Sequence, residues 1–365
     1  MTVSSDPDLH TAYQQQLQAK RTQALALFDG LVLPPLEVIE SPHRHYRLRA
    51  EFRVWHEGDE SWFAMYHPGT RDLYRVDRFA AGAELINTLM PQVLDGVQHD
   101  PVLRRKLYSA EFLTTLSGEA LITLVYHKPL DDEWRRAAEP LRRSLGVNLI
   151  GRSRKVKIVL GDDFVTEELT VHNRRYRYRQ YEGSFTQPNG FINQRMLEWA
   201  TEQLRGSDGD LLELYCGNGN FTLPLATLFE GVLATEISKS SIAALQWNIA
   251  ANGIDNIHHA RLSAEEMTQA LDRVRPFRRL AHLSLDAFRF STLLVDPPRA
   301  GLDPATEAFA ARFDRILYIS CNPHTLADNL RTLSRSHDIK ALAAFDQFPF
   351  TEHLECGVLL ERRGI

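Results

Sequence analysis

From Leu211 onward the chain changes its grammar, and that change limits the folds open to it. The turn cluster Gly206-Ser207-Asp208-Gly209-Asp210 closes what precedes it. Apolar runs then alternate with helical patterns. The spacing predicts strands at Leu211–Tyr215, Val232–Thr235, Thr292–Val295 and Ile316–Ile319, and helices at Phe221–Leu228, Ser240–Asn252, Ala305–Phe313 and His324–Leu333. Strands separated by helices build a parallel sheet with crossover helices, a doubly wound α/β domain. In such sheets ligands bind at the carboxyl ends of the strands. Two late runs, Ala341–Phe348 and Leu354–Glu361, read as an antiparallel hairpin at the sheet edge.

The N-terminal half reads as mixed α+β. Helices are expected at Tyr13–Phe28, Ala83–Met90 and Asp131–Leu145. Strands are expected at Tyr46–Trp55, on either side of Ser117-Gly118 within Glu111–Tyr126, and onward to about Tyr181. No run approaches the ~20 apolar residues of a membrane span. The three cysteines, 216, 321 and 356, exclude a disulfide scaffold and a four-cysteine iron–sulfur cluster, and suggest a reducing compartment. No His/Cys spacing suggests zinc.

A net charge of −5 argues against nucleic acid in bulk, but the distribution argues for it. Arg44, Arg47, Arg49 and Arg53 lie in one stretch, and Arg142 to Lys157 carries six basic residues and no acid. Arg174, Arg175, Arg177 and Arg179 interleave with Tyr176 and Tyr178. Basic residues among aromatics suit phosphate contacts with base stacking. A solvated strand face is the alternative for each cluster.

Three motifs sit at the carboxyl ends of predicted strands. Tyr215-Cys216-Gly217-Asn218-Gly219-Asn220 is a glycine turn into a helix, and Glu236 ends the next strand. That pairing suits a nucleoside cofactor, with glycines admitting it and the acid accepting ribose hydroxyls. A helix-terminal acid is the alternative for Glu236. Asp296-Pro297-Pro298-Arg299-Ala300-Gly301-Leu302 delivers a carboxylate into a stiffened loop. Ser320-Cys321-Asn322-Pro323 places a thiol just past a core strand, where it serves as a nucleophile or as a small buried hydrophobe.

Together with Phe185-Thr186-Gln187-Pro188-Asn189 and Phe348-Pro349-Phe350-Thr351-Glu352-His353-Leu354-Glu355, these motifs resemble those of the RNA uridine C5-methyltransferase family. The resemblance extends to Arg47-Leu48-Arg49-Ala50-Glu51-Phe52-Arg53 and Asp131-Asp132-Glu133-Trp134. It is closest to the tRNA branch, because the extra N-terminal barrel and four-cysteine cluster of ribosomal-RNA relatives are missing. The resemblance implies a class I (Rossmann-like) methyltransferase domain over residues 181–365 and an α+β RNA-binding region over residues 1–180. It implies S-adenosylmethionine as cofactor, with no metal or iron–sulfur cluster. Cys321 matches the family nucleophile and Glu355 the proton acceptor. Gln187, Tyr215, Asn220, Glu236 and Asp296 match cofactor-binding positions. Tyr108 falls where a relative has a Phe that stacks on the target base.

The implied substrate is the T-loop uridine of tRNA (position 54), with T-loop-like RNA such as tmRNA beside it. Arg47, Arg49, Arg53, Arg174 and Arg177 are the candidate RNA contacts. A cytoplasmic enzyme with no membrane association and no obligate protein partner is expected. The alternatives are the same chemistry on ribosomal RNA and an RNA folding factor whose methylation is incidental. A small-molecule methyltransferase is disfavoured by the large basic N-terminal half. By residue type alone Glu352 and His353 rival Glu355 as base. Glu355 lies between Leu354 and Cys356, a setting that raises a carboxyl pKa.

Overall fold

A short early strand decides how the chain divides. The computed structural model describes residues 7–67 and 69–364. Strand β1 (Leu36–Ile39) pairs in parallel with a segment near the C-terminus, Leu36 with Leu342 and Ile39 with Phe345. Residues up to His43 therefore belong with Leu169–Tyr178 and with the chain from Phe191 onward, as one unit. The other unit comprises Arg44–Glu168 and Arg179–Gly190. The contiguous division at residue 180 differs from this, because a four-residue strand gives no local sign that its partner lies some 300 residues away.

The Arg44–Glu168 unit is built on a 7-stranded sheet. Its strands are β2 (Arg49–Glu57), β3 (Glu60–Tyr66), β4 (Leu73–Arg75), β5 (Leu107–Thr114), β6 (Ala120–Tyr126), β7 (Asn148–Ser153) and β8 (Val156–Leu160), in the order β4-β3-β2-β5-β6-β7-β8. Only β6 and β7 pair in parallel, and the helix Asp132–Leu145 makes the crossover that a parallel pair requires. Asp131 starts that helix by accepting the Glu133 and Trp134 N–H groups, and left-handed Gly146 ends it. This helix and Glu84–Gln98 bury Trp134, Ile86 and Val93 against Phe52, Phe63 and Phe112 of the sheet. Strands β9 (Phe164–Val171) and β10 (Arg174–Tyr181) form a separate 2-stranded sheet, through which the division between the units runs.

The other unit holds an 8-stranded sheet. To β1 it adds β11 (Asp210–Leu214), β12 (Val232–Thr235), β13 (Ile257–Ala260), β14 (Phe290–Val295), β15 (Arg315–Ser320), β16 (His337–Phe345) and β17 (Glu355–Arg362). The order is β1-β16-β17-β15-β14-β11-β12-β13, with β17 antiparallel to both of its neighbours. The late hairpin is thus present but does not form the edge. β17 inserts beside β15, and β1 covers β16 on its far side. Both faces of the sheet are buried. Ile316 and Tyr318 enter one core cluster, Leu317 and Ile319 the other, so β15 reads as an unbroken apolar run. Among the described residues no helix is long and apolar enough to cross a membrane.

Candidate active site

Backbone register brings five of the expected site residues to one sheet edge. Leu214 is level with Thr235 on β12 and with Val295 on β14. Tyr215, Glu236 and Asp296 are the residues that follow these strand ends. Val295 is level with Tyr318 on β15, and Ser320 faces Cys356 on β17. The antiparallel register makes Cys321 and Glu355 the next facing positions. The sheet thus places a thiol and a carboxyl opposite each other at the carboxyl edge of the parallel strands.

The glycine turn is shaped by close packing. Tyr215 adopts φ +62°, rare for a side chain this large, and the chain leaves β11 abruptly there. Gly219 has φ +87°, and a Cβ on it would strike the side chains of Leu245 and Leu223. Asn248 braces the turn by donating to the Asn218 carbonyl at 2.8 Å. The half-buried Glu236 carboxylate accepts the Gly217 N–H at 3.2 Å and the Ser238 N–H at 2.7 Å. Each of its oxygens retains acceptor capacity. Asn220 is held by a reciprocal amide pair with Asn193, at 2.9 and 2.8 Å, and its carbonyl accepts from the Tyr178 hydroxyl at 3.0 Å. Asn193 was not anticipated. It lies on the helix Gly190–Gln203, directly after the Pro188-Asn189-Gly190 break that could have announced that helix.

The Asp296 and Cys321 loops are fastened together. The Arg299 carbonyl accepts from the Asn322 amide at 2.9 Å and from the Thr325 hydroxyl at 3.2 Å. Asn329 exchanges bonds with the Leu302 backbone at 3.0 Å in each direction and accepts from the Tyr318 hydroxyl at 2.6 Å. Gly301, at φ +75°, lies against Asn329 and Thr325 where a Cβ would not fit.

The electrostatics of the edge favour the protonated forms of both Cys321 and Glu355. Cys321 is half-buried, whereas Cys216 and Cys356 are buried. Burial, with the negative charges of Glu355 and Asp296, pushes the Cys321 thiol up to about 11, and Arg299 opposes that shift. Burial also raises the Glu355 carboxyl, and the Asp296 charge adds to it. Asp296 is raised by desolvation. Glu355 is 4% exposed, while Glu352 and His353 are open to solvent, and His353 faces the Arg299 guanidinium at 3.2 Å. Of the three rivals, only Glu355 has the enclosed setting that tunes a carboxyl for proton transfer.

The other expected residues lie elsewhere. Gln187 is in the Arg179–Gly190 segment, which belongs to the other unit. So do Arg47, Arg49, Arg53 and Tyr108, whereas Arg174 and Arg177 are exposed within Leu169–Tyr178. Arg47 Nε donates to the Arg49 carbonyl, and Arg49 donates to the Ser184 carbonyl at 2.8 Å. The Arg53 guanidinium lies 3.3 Å from the Tyr108 ring centre, and Tyr108 stacks on His127 at 4.0 Å. The stretch from Arg142 to Lys157 is not the uncompensated cluster it seemed in sequence. Arg142 and Arg143 pair with Glu139, Arg152 with Glu182, and Lys157 with Asp163.

Comparison with known proteins shows the family. The sequence profile of the tRNA (uracil-5-)-methyltransferase family matches residues 12–363. The tRNA/tmRNA (uracil-C(5))-methyltransferase of Cellvibrio japonicus is 55% identical over 363 residues, covering 98% of this chain and 99% of that one. The protein of the same description from Pseudomonas aeruginosa (strain LESB58) is 56% identical over 356 residues, covering 97% and 98%. In structure, the chain resembles the Pyrococcus abyssi tRNA (uracil-54, C5)-methyltransferase, solved in complex with S-adenosyl-L-homocysteine. The TM-score is 0.73 at 20% identity, over 95% of this chain and 83% of that one, a likeness of fold. The chain belongs to the tRNA (uracil-5-)-methyltransferase family.

Proposed function

We propose that this protein methylates C5 of the T-loop uridine of tRNA at position 54, and T-loop-like tmRNA, with S-adenosylmethionine as cofactor. The observation that carries the reading is the β15–β17 register, which makes Cys321 and Glu355 the next facing positions at the sheet edge that also carries the glycine turn. The turn suits the cofactor: the Cβ position of Gly217 meets open space, and Glu236 has acceptor capacity for ribose hydroxyls. Tyr215, Asn220 and Asp296 complete the set of residues on this unit that would hold it. When bound, the cofactor supplies an electrophilic methyl group on a sulfonium.

C5 of uracil is a weak nucleophile. The Cys321 thiolate adds to C6 and the displaced electron pair enriches C5. C5 would then take the methyl group that the cofactor supplies, the C–S bonding pair staying with the cofactor's sulfur. The Glu355 carboxylate then takes the C5 proton. The C–H pair re-forms the C5–C6 double bond and expels the Cys321 thiolate. Both faces of a stacked uridine are hidden, so the base must be flipped out. Arg47, Arg49, Arg53 and Tyr108, with Arg174 and Arg177, supply phosphate contacts and stacking for the opened loop. A tRNA substrate places the enzyme in the cytoplasm.

The test is incubation with labelled cofactor and unmodified total RNA, followed by mapping of the methylated nucleotide. Label at the T-loop uridine, lost in Cys321→Ala, is the expected result. Label confined to ribosomal RNA would overturn the substrate.

A further inference from the structure

The segment that delivers Glu355 is clamped by a helix far away in sequence. Residues 346–354 have no regular structure beyond a turn in which Phe350 takes φ +60°, and Glu355 is the first residue of β17 after them. Strand ends loosen readily unless they are held. One face of the helix Pro7–Leu27 holds this one. Tyr13, Gln16 and Lys20 are spaced three and four residues apart and so share that face. Lys20 Nζ donates to Asp346 Oδ1 at 2.6 Å and to the Phe348 carbonyl at 2.9 Å. Gln16 donates to the Thr351 carbonyl at 2.5 Å and accepts the Phe350 N–H at 3.0 Å. Tyr13 packs edge-on against Phe350 and accepts the Ser41 N–H at 2.9 Å.

The Lys20–Asp346 pair is the unusual member of this set. Its side chains are 3% and 0% exposed. A buried ion pair adds little stability over apolar residues of the same volume. What it imposes is one geometry. Two charges removed from water must meet each other, and Lys20 meets the Phe348 carbonyl as well. Proton removal from C5 requires Glu355 within hydrogen-bond reach, and a displacement of ~1 Å costs about 100-fold in rate.

We propose that Lys20 is a positioning residue for proton abstraction, acting through Asp346 and the 346–354 segment to set where Glu355 stands. The inference rests on the function proposed above. Without the clamp, thiolate addition and methyl transfer proceed, and the step that takes the C5 proton and expels Cys321 is slowed.

The experiment uses full-length wild type, Lys20→Met and the double variant Lys20→Met/Asp346→Leu. RNA and cofactor affinity, single-turnover methyl transfer, product release and thermal midpoint are measured for each. In Lys20→Met, kcat is expected to fall about 10–100-fold, with kcat/KM for RNA and for cofactor within about twofold, because the slowed step follows methyl transfer. Methylated RNA should accumulate covalently on the protein in denaturing gels. The double variant should recover the thermal midpoint, because no lone charge remains buried, and should still accumulate the adduct. If Lys20→Met cannot be isolated folded, the double variant decides alone. A wild-type release rate in folded Lys20→Met overturns the inference, as does a double variant that regains rate together with stability. If wild type itself makes no 5-methyluridine, the proposed function fails instead.

Discussion

Burial of Glu355 leaves a pH signature that can be read without substrate. A carboxyl whose pKa is raised on folding holds its proton more tightly in the native state. Its contribution to stability is complete below the unfolded value and is lost as pH rises through the folded one. Glu355→Gln removes that loss. The variant's melting temperature should therefore fall less than the wild type's between about pH 4.5 and about pH 8, as followed by calorimetry. The same variant tests the chemistry, because an amide cannot take the C5 proton. Glu355→Gln should transfer the methyl group and then stall, with methylated RNA attached to Cys321 on denaturing gels. Glu352→Gln and His353→Ala should turn over, as their exposed positions suggest. Release of product by Glu355→Gln at the wild-type rate would sink the assignment. Cys321, Asp296 and Glu236 were legible in sequence because each follows a strongly apolar run, and the carboxyl end of a parallel strand is where ligands bind. Lys20 and Asp346 were not legible. No local pattern marks a contact across 326 residues, and a lone Lys on a polar-faced helix reads as solvated.

At the scale of elements, the motifs are joints between loops as much as carriers of reactive groups. Gly301 needs a left-handed backbone and has no room for a Cβ beside Asn329 and Thr325. Gly301→Ala should lower stability by about 1–3 kcal/mol, measured by urea denaturation, and should slow methyl transfer more than it weakens cofactor binding. Glu236 ties Gly217 to Ser238 at the carboxyl edge of the sheet. Glu236→Ala should weaken S-adenosylmethionine binding by roughly 1.5–3 kcal/mol in calorimetric titration, with RNA affinity unchanged. Equal loss of both affinities would mean that the turn had collapsed. Strand β12 was read at its observed limits, Val232–Thr235, because Gly231 and Glu236 bracket a short apolar run. Strand β13 and the helix Gly190–Gln203 were missed. Ile-His-His-Ala has no β-like pattern, and the helix mixes polar and apolar residues on a weakly amphipathic surface. The final hairpin was misplaced for a topological reason: which strand takes the edge depended on β1, whose partner is remote.

Across the whole molecule, net charge misleads and local neutralisation decides. The chain is acidic overall, yet its basic residues fall into two physical kinds. Arg142 and Arg143 share Glu139, whose carboxyl their guanidinium hydrogen bonds hold down to about 2. An arginine already paired with a carboxylate releases few counterions when a phosphate approaches. Arg53 instead lies on the Tyr108 ring and the exposed Arg174 over the Tyr176 ring, contacts that do not neutralise a guanidinium. The sequence could not separate the two kinds, since Glu182, which neutralises Arg152 and also reaches Lys157, comes from another part of the chain. The salt dependence of tRNA binding does separate them. Each lost phosphate contact lowers the slope of log K against log salt by roughly 0.7–0.9. Arg53→Gln combined with Arg174→Gln should weaken binding and flatten that slope by about one to two. Arg142→Gln with Arg143→Gln should leave both unchanged within error. Filter binding over a range of potassium chloride concentrations gives both slopes. If the two sets flatten the slope equally, ion pairing inside the protein does not decide which arginines meet RNA, and the candidate interface must be enlarged to include the helix Asp132–Leu145.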